Sequence, residues 1–151
     1  MRYLKIFEDF KSIDEISTLI EISNELKDDY FEVEVYDTMK KDTGGYLFRA
    51  LMDQVKAWER SYSPKNMYKS DQLEVISDII IMSIRTPNNK EKFLWKDISD
   101  PITSCVNYME FNGWRYILQP VWNNTSMNYR LDDMGIFNEQ QMQSYHLNFY
   151  R

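Results

Sequence analysis

The residues that could carry catalytic chemistry are few in this sequence. Cys105 and His146 are the only cysteine and the only histidine among 151 residues. A nucleophilic cysteine–histidine pair needs the two side chains in contact, but Cys105 falls on the apolar stripe of a predicted helix, where a free cysteine packs as a small hydrophobic residue. His146 alternates with Tyr145 and Leu147, which predicts a surface or edge position. We therefore expect no catalytic dyad and no internal disulfide.

The acidic residues show no spacing typical of a metal site. The densest cluster, within residues 28–34, spans a helix end and a strand, so neighbouring carboxylates point apart. The pair Asp132-Asp133 lacks the glycine and the ligand spacing of a calcium loop. The sequence also lacks a Walker loop, a GxGxxG fingerprint and a GxSxG nucleophile motif. We expect neither a bound metal nor a cofactor.

Charge is divided unevenly along the chain. The net charge is −6, yet residues 1–37 alone hold eleven acids and four bases, or −7. Residues 40–70 hold seven bases and three acids, or +4, and the bases alternate with aromatic residues. This pattern is typical of a solvated acidic helix beside a loop-rich insert. It also offers two charged surfaces on which a partner could dock.

The first clear element is an amphipathic helix followed by a strand. The stretch Ser12-Ile13-Asp14-Glu15 has the pattern of a capping box, and apolar residues at helical spacing then predict a helix over 13–28. Alternation of apolar and acidic residues over 30–37 predicts a half-buried strand. The residues expected to point inward from it are Phe31, Val33 and Val35.

A second helix and strand follow the same order. Cap residues and a proline within 97–101 open a predicted helix over 97–112, and Gly113 stands where a left-handed residue ends a helix. Residues 115–122 then predict a strand, and Pro120 indicates either an edge position or the end of that strand. The other predicted elements are strands over 2–7, 74–85 and 144–150, a helix over 46–61, a loop over 123–135 and a helical turn over 137–143.

The order of these elements predicts one α+β domain over 1–151. Two helix-to-strand passages predict a ferredoxin-like βαββαβ antiparallel sheet with two helices on one face. An inserted helix and loop at 40–72 and an extra C-terminal strand complete the expected architecture.

The absence of a recognisable catalytic motif favours a non-enzymatic protein that works by protein–protein contact. An alternative is a regulator that binds single-stranded nucleic acid through residues 40–70, although the pI of about 4.8 does not favour it. A third alternative is an enzyme or ligand binder built on carboxylates. The expected partner contacts are Trp58, Arg60, Tyr62 and Lys65 in the basic segment, and Glu21, Glu25 and Asp28 on the acidic helix.

The chain opens with MRYLKIFEDF, passes from helix to strand through ELKDDYFEVEVYD, and contains FLWKDISDPITSCVNYMEFNGWRY. In these stretches it resembles small uncharacterised proteins of large tailed bacteriophages with AT-rich genomes. Residues with AT-rich codons (Phe, Tyr, Met, Ile, Asn and Lys) fill 64 of the 151 positions, in agreement with that resemblance.

The resemblance implies a phage accessory protein that inhibits or redirects a host factor or belongs to the virion. It carries over no functional residue. The sequence has no apolar run long enough to span a bilayer, and its first residues lack the apolar region of a secretory signal. We therefore expect a protein of the host cytoplasm, or of the virion, without a membrane segment.

Overall fold

The computed structural model describes residues 15–38, 46–62, 76 and 78–151. Within them the chain forms an α+β fold with a five-stranded antiparallel sheet and four α-helices, which confirms the predicted class. The predicted strand over 2–7, the cap at Ser12 and much of the 40–72 insert lie outside the described residues. The helices are α1 (15–22), α2 (Asn24–Asp28), α3 (Tyr46–Tyr62) and α4 (Ser99–Phe111), and the strands are β1 (Glu32–Asp37), β2 (Ile79–Arg85), β3 (Arg115–Trp122), β4 (Thr125–Ser126) and β5 (Ser144–Tyr150).

The strand order is β1-β2-β5-β3-β4, so the C-terminal strand lies in the middle of the sheet. Leu147 of β5 pairs with Met82 on one side and Leu118 on the other, both antiparallel. The ferredoxin-like order is not confirmed, because β5 occupies the place between β2 and β3 that such a sheet gives to its first strand. The reason is burial: residues 147–150 are buried on both faces, as a central strand requires.

The first face of the sheet carries the main core. Met82, Leu118 and Leu147 are fully buried there, beneath Leu19 of α1 and Ile102 of α4. Both predicted helices therefore pack on this face, but the one predicted over 13–28 is divided at Ser23 into α1 and α2. The same core includes residues whose inward position the sequence predicted, namely Phe31, Val33, Val35 and Cys105.

Both helix-to-strand passages use the same left-handed turn. After α4, Gly113 has φ +86°, and the Trp114 amide donates to the Met109 carbonyl at 3.0 Å. After α2, the Phe31 amide donates to the Leu26 carbonyl at 2.9 Å, but the left-handed residue is a tyrosine, Tyr30, with φ +81°. The predicted role of Gly113 is confirmed, whereas the conformation of Tyr30 strains a residue that has a Cβ.

The second face of the sheet is covered in part by α3, the helix of the predicted insert. Val55 is buried against Ile81, Ile117 and Tyr150. Glu59, only 4% exposed, accepts a hydrogen bond from the Tyr150 hydroxyl, and Arg115 lies 3.9 Å from the same carboxylate oxygen. The insert therefore contributes a second, smaller core.

The segment between β3 and β5 differs from the prediction. Asn123 and Asn124, with φ of 49° and 61°, form a tight turn that joins β3 to the short strand β4. A 3₁₀ helix covers Leu131–Phe137, so the predicted helical turn over 137–143 is wrong. The physical reason is a spacing of three: Leu131, Met134 and Phe137 all pack on the core, which matches the 3₁₀ period rather than the α-helical one.

Candidate functional site

Three large apolar side chains are more than half exposed near the β3–β4 hairpin. Trp122 is 54% exposed, Met127 63% and Ile136 61%. They border a cavity of about 310 Å³, which we call the Trp122 groove. The other apolar residues that line it are Pro120, Tyr129, Phe137 and Met142.

Local hydrogen bonds hold Trp122 at the groove. The hydroxyl of Thr125 donates to the Trp122 carbonyl at 2.7 Å across the hairpin turn. Leu118 and Tyr129 exchange two backbone hydrogen bonds, of 3.0 and 2.8 Å, which fix the returning segment beside β3. Side chains alternate along a strand, so Trp122 has the same phase as Leu118 and points to the first face. The Trp122 groove is therefore the open end of the main core.

The residues that line the Trp122 groove carry no charge, but the 3₁₀ helix that contributes Ile136 also carries carboxylates. Asp133 precedes Ile136 by three residues, which places both on one side of the 3₁₀ helix. Asp132 and Glu139 are also exposed in this segment. The nearest base along the chain, Arg130, lies over the ring of Tyr116, 5.4 Å from its centroid. The negative charge near the groove therefore lies on the segment that carries Ile136, outside the lining itself.

A polar row crosses the second face of the sheet beside the part that α3 covers. It consists of Glu34, Ser83, His146 and Gln119, which are register neighbours on four adjacent strands. Ser83 Oγ lies 2.9 Å from His146 Nδ1. Asn148 donates to Gln119 at 3.1 Å, so the row continues into buried polar contacts.

His146 is half-buried on a central strand, which corrects the predicted surface or edge position. Its neighbours in the cleft of the polar row include Ser83, Arg85 and Ser144. Burial, and then the charge of Arg85, lower the pKa of the imidazole below its usual value. The ring is therefore neutral at neutral pH and serves as a hydrogen-bonding partner of Ser83.

Cys105 and His146 lie on opposite sides of the sheet. Cys105 belongs to the main core on the first face, and burial raises the pKa of its thiol to about 12. A thiol with that pKa stays protonated at neutral pH and is therefore a poor nucleophile. The two residues cannot form a dyad, and Cys105 has the packing role that the sequence predicted.

The described residues contain no group of three or more histidine, cysteine, aspartate and glutamate side chains placed to hold a metal ion. Among the same residues, no helix is both long and apolar enough to cross a membrane.

The predicted basic contact surface is divided by the fold. Trp58 is partly buried, because it packs against the smaller core beneath α3, while Arg60 is exposed on that helix. Tyr62 is the last residue of α3 and its side chain is not described, and Lys65 lies outside the described residues. Phe48 is partly buried as well, so Phe48 and Trp58 do not form an open stacking platform for bases.

The predicted acidic contacts share one surface. Glu21, Glu25 and Asp28 are spaced four and then three residues apart, which matches one side of a helical segment. All are exposed, and the fold leaves them on the outer side of α1 and α2. These residues are Glu21, Glu25 and Asp28, and their role as contacts stays a prediction.

The exposed residues of the Trp122 groove were not among the predicted contacts. Trp122 shares the alternation of Leu118 and Pro120, which indicates a core residue when the strand is considered alone. One weaker signal in the sequence does indicate that Trp122 is exposed. A tryptophan directly before an Asn-Asn turn stands at the end of its strand, where a helix packed on the sheet covers it less completely.

Comparison with known proteins finds no matching family model, no matching curated protein and no matching solved structure.

Proposed function

We propose that this protein acts by binding another protein through the Trp122 groove and performs no chemistry of its own. The observation that carries the proposal is the exposure of Trp122, Met127 and Ile136 around one apolar cavity. Soluble proteins seldom leave clustered large apolar side chains in water without a use for them. Tryptophan is also among the residues that contribute most to binding energy at protein interfaces.

The groove suits a partner segment with an apolar anchor beside basic residues. The lining residues Tyr129, Phe137 and Met142 offer apolar contact to an inserted side chain. The exposed Asp133 next to Ile136 would attract lysine or arginine on either side of that anchor. Charge steering of this kind speeds association and rejects acidic partners.

The biological setting follows from the resemblance in the sequence. As a phage-type accessory protein, the chain would bind a host factor or another virion component. Arg60 on α3, and Glu21, Glu25 and Asp28 on α1 and α2, lie on helices that cover opposite faces of the sheet. They are two further candidate surfaces, which the same experiment can separate from the groove.

The experiment is a pull-down from a bacterial host lysate with matched surface variants. The chain should recover a stoichiometric protein partner, and Trp122→Ser should reduce recovery by about thirtyfold, the loss expected for an interface anchor. Phe111→Ser is the matched control, because Phe111 is 91% exposed and lies outside the groove. Thermal unfolding of each variant verifies that the fold is intact.

Two outcomes would contradict the proposal. Recovery of no stoichiometric partner argues against protein contact as the function. Retained recovery with Trp122→Ser, together with loss on Arg60→Ser or Glu25→Ser, assigns the interface to the helical surfaces and removes the groove from it.

A further inference from the structure

A separate cavity of about 370 Å³ lies between the α2–β1 turn and the loop that follows β2. We propose that this cavity binds a small organic cation with a quaternary or methylated ammonium group. Its volume falls within the range of ordinary small-molecule pockets, about 300–1,000 Å³. We call it the Tyr30 cavity, after the aromatic residue at its rim.

Aromatic rings line the Tyr30 cavity. Tyr30 is 82% exposed at the rim, and Phe31 and Phe93 lie beside it with ring centroids 4.8 Å apart and planes at 63°. The faces of aromatic rings attract cations, and the attraction is strongest for weakly hydrated organic ammonium groups. Pro87 completes the apolar part of the wall.

The charged side chains that line the cavity are three carboxylates and two ammonium groups, which sum to −1. Asp97 holds its carboxylate in place by accepting a hydrogen bond from the Leu94 amide at 3.0 Å. Asp29 and Glu91 add two more carboxylates to the lining, against the ammonium groups of Lys90 and Lys92. All five charged side chains are exposed, but the lysine side chains are the longer ones and can extend their charge into water. A cation therefore gains both ring contacts and carboxylates.

The backbone on both sides of the cavity is preformed. Tyr30 is held at φ +81° by the turn bond from the Phe31 amide to the Leu26 carbonyl. A tyrosine in this conformation carries strain that glycine would avoid. Strained backbone conformations are concentrated at functional sites. Here the strained turn fixes the position from which the Tyr30 side chain leaves the backbone.

The opposite wall of the Tyr30 cavity is the loop that follows β2, and the Thr86 side chain closes this loop by hydrogen bonds. The hydroxyl of Thr86 donates to the Glu91 carbonyl at 2.7 Å, and the Glu91 amide donates back to that hydroxyl at 3.1 Å. Asn88 and Asn89, with φ of 59° and 53°, form the left-handed bend between them. The loop thus presents its charged residues without having to fold upon binding.

The test is a titration of the whole chain, followed by amide NMR, with three probes of matched size. Choline is the cation, its uncharged isostere with carbon in place of nitrogen is the neutral probe, and benzoate is the anion. Choline should shift the amide signals of Tyr30, Phe31 and Phe93 saturably, and the neutral isostere should not. Tyr30→Phe should bind as the natural chain does, whereas Tyr30→Gly should bind choline about tenfold more weakly.

Tyr30→Gly removes the ring without disturbing the backbone, because glycine adopts the observed φ without strain. The variant should therefore keep the fold. Equal binding of choline and its neutral isostere would overturn the proposal, because the cavity would then be merely apolar. Binding of benzoate in place of choline would also overturn it and assign the site to Lys90 and Lys92. Absence of any saturable shift in these amides rejects the cavity as a ligand site.

Discussion

The two faces of the sheet differ, although the same strands build both. On the first face, Leu118 and Leu147 are fully buried beneath α1, α2 and α4. On the second face, α3 buries Ile117 and Tyr150, while His146 in the polar row stays half-buried. One face is therefore a continuous apolar core, and the other is divided into a small core and a polar cleft.

The difference between the two faces separates the residues that stabilise the fold from the residues that are available for contacts at the surface. Burial of apolar area contributes most of the favourable free energy of folding, so the first face should dominate stability. The polar row gains little from burial, because its hydrogen bonds replace bonds to water. Three measurements test this division, beginning with the largest expected effect.

Removing a core side chain from β5 should have the largest effect. Leu147→Ala should lower the free energy of unfolding by about 3–5 kcal/mol, since Leu147 is fully buried and the change leaves a cavity. Urea unfolding measures this loss. Ser83→Ala, in the polar row, is the control and should cost about 1 kcal/mol or less. Equal losses for the two variants would show that the two faces contribute alike.

The buried carboxylate beneath α3 should have an intermediate effect. Glu59→Ala should lower the free energy of unfolding by about 2 kcal/mol, because it leaves the Tyr150 hydroxyl and Arg115 without their shared partner. Arg115 is about one-third exposed, which keeps the loss below that of a fully buried pair. Glu59→Gln retains an acceptor for Tyr150 and should cost less. A Glu59→Ala loss smaller than that of Ser83→Ala would contradict the assignment of a second core to α3.

Local patterns in the sequence predicted most elements of this fold. The strands Arg115–Trp122 and Ser144–Tyr150 have the predicted bounds. The first lies between Gly113 and the Asn123-Asn124 turn, and the second is marked by its alternation. Gly113 likewise marks the end of α4 where it was expected. The central place of β5 was not predicted, since strand order depends on pairing between residues far apart in the chain, which alternation does not encode.

The candidate sites were harder to predict than the elements, because exposure depends on what covers a residue. Trp58 was expected at an interface, but α3 packs it against the sheet. Trp122 has the alternation of a core residue, yet no described element covers it fully. Tyr30 stands where glycine is usual, and only the backbone geometry shows that the position is left-handed.

The smallest predicted effect is the response of the polar row to acid. The folded protein holds the pKa of His146 below its ordinary value of 6.5, chiefly by burial and then by the charge of Arg85. The unfolded chain therefore binds a proton more readily than the folded one. The stabilising contribution of neutral His146 is fully present above pH 6.5 and is lost as pH falls from there through the folded pKa.

Urea unfolding at several pH values, compared with His146→Gln, isolates this contribution. Glutamine can still bond to Ser83 but does not titrate, so the natural chain should lose more stability below pH 6.5 than the variant does. The variant changes no other residue of the cleft, so the difference between the two proteins reports on His146 alone. Because His146 is the sole histidine, its imidazole signal also reports its pKa directly by NMR, and Arg85→Gln should raise that pKa. Identical pH slopes for the two proteins would show that the second face does not penalise a charged imidazole, and the contrast between the faces would then be one of apolar burial alone.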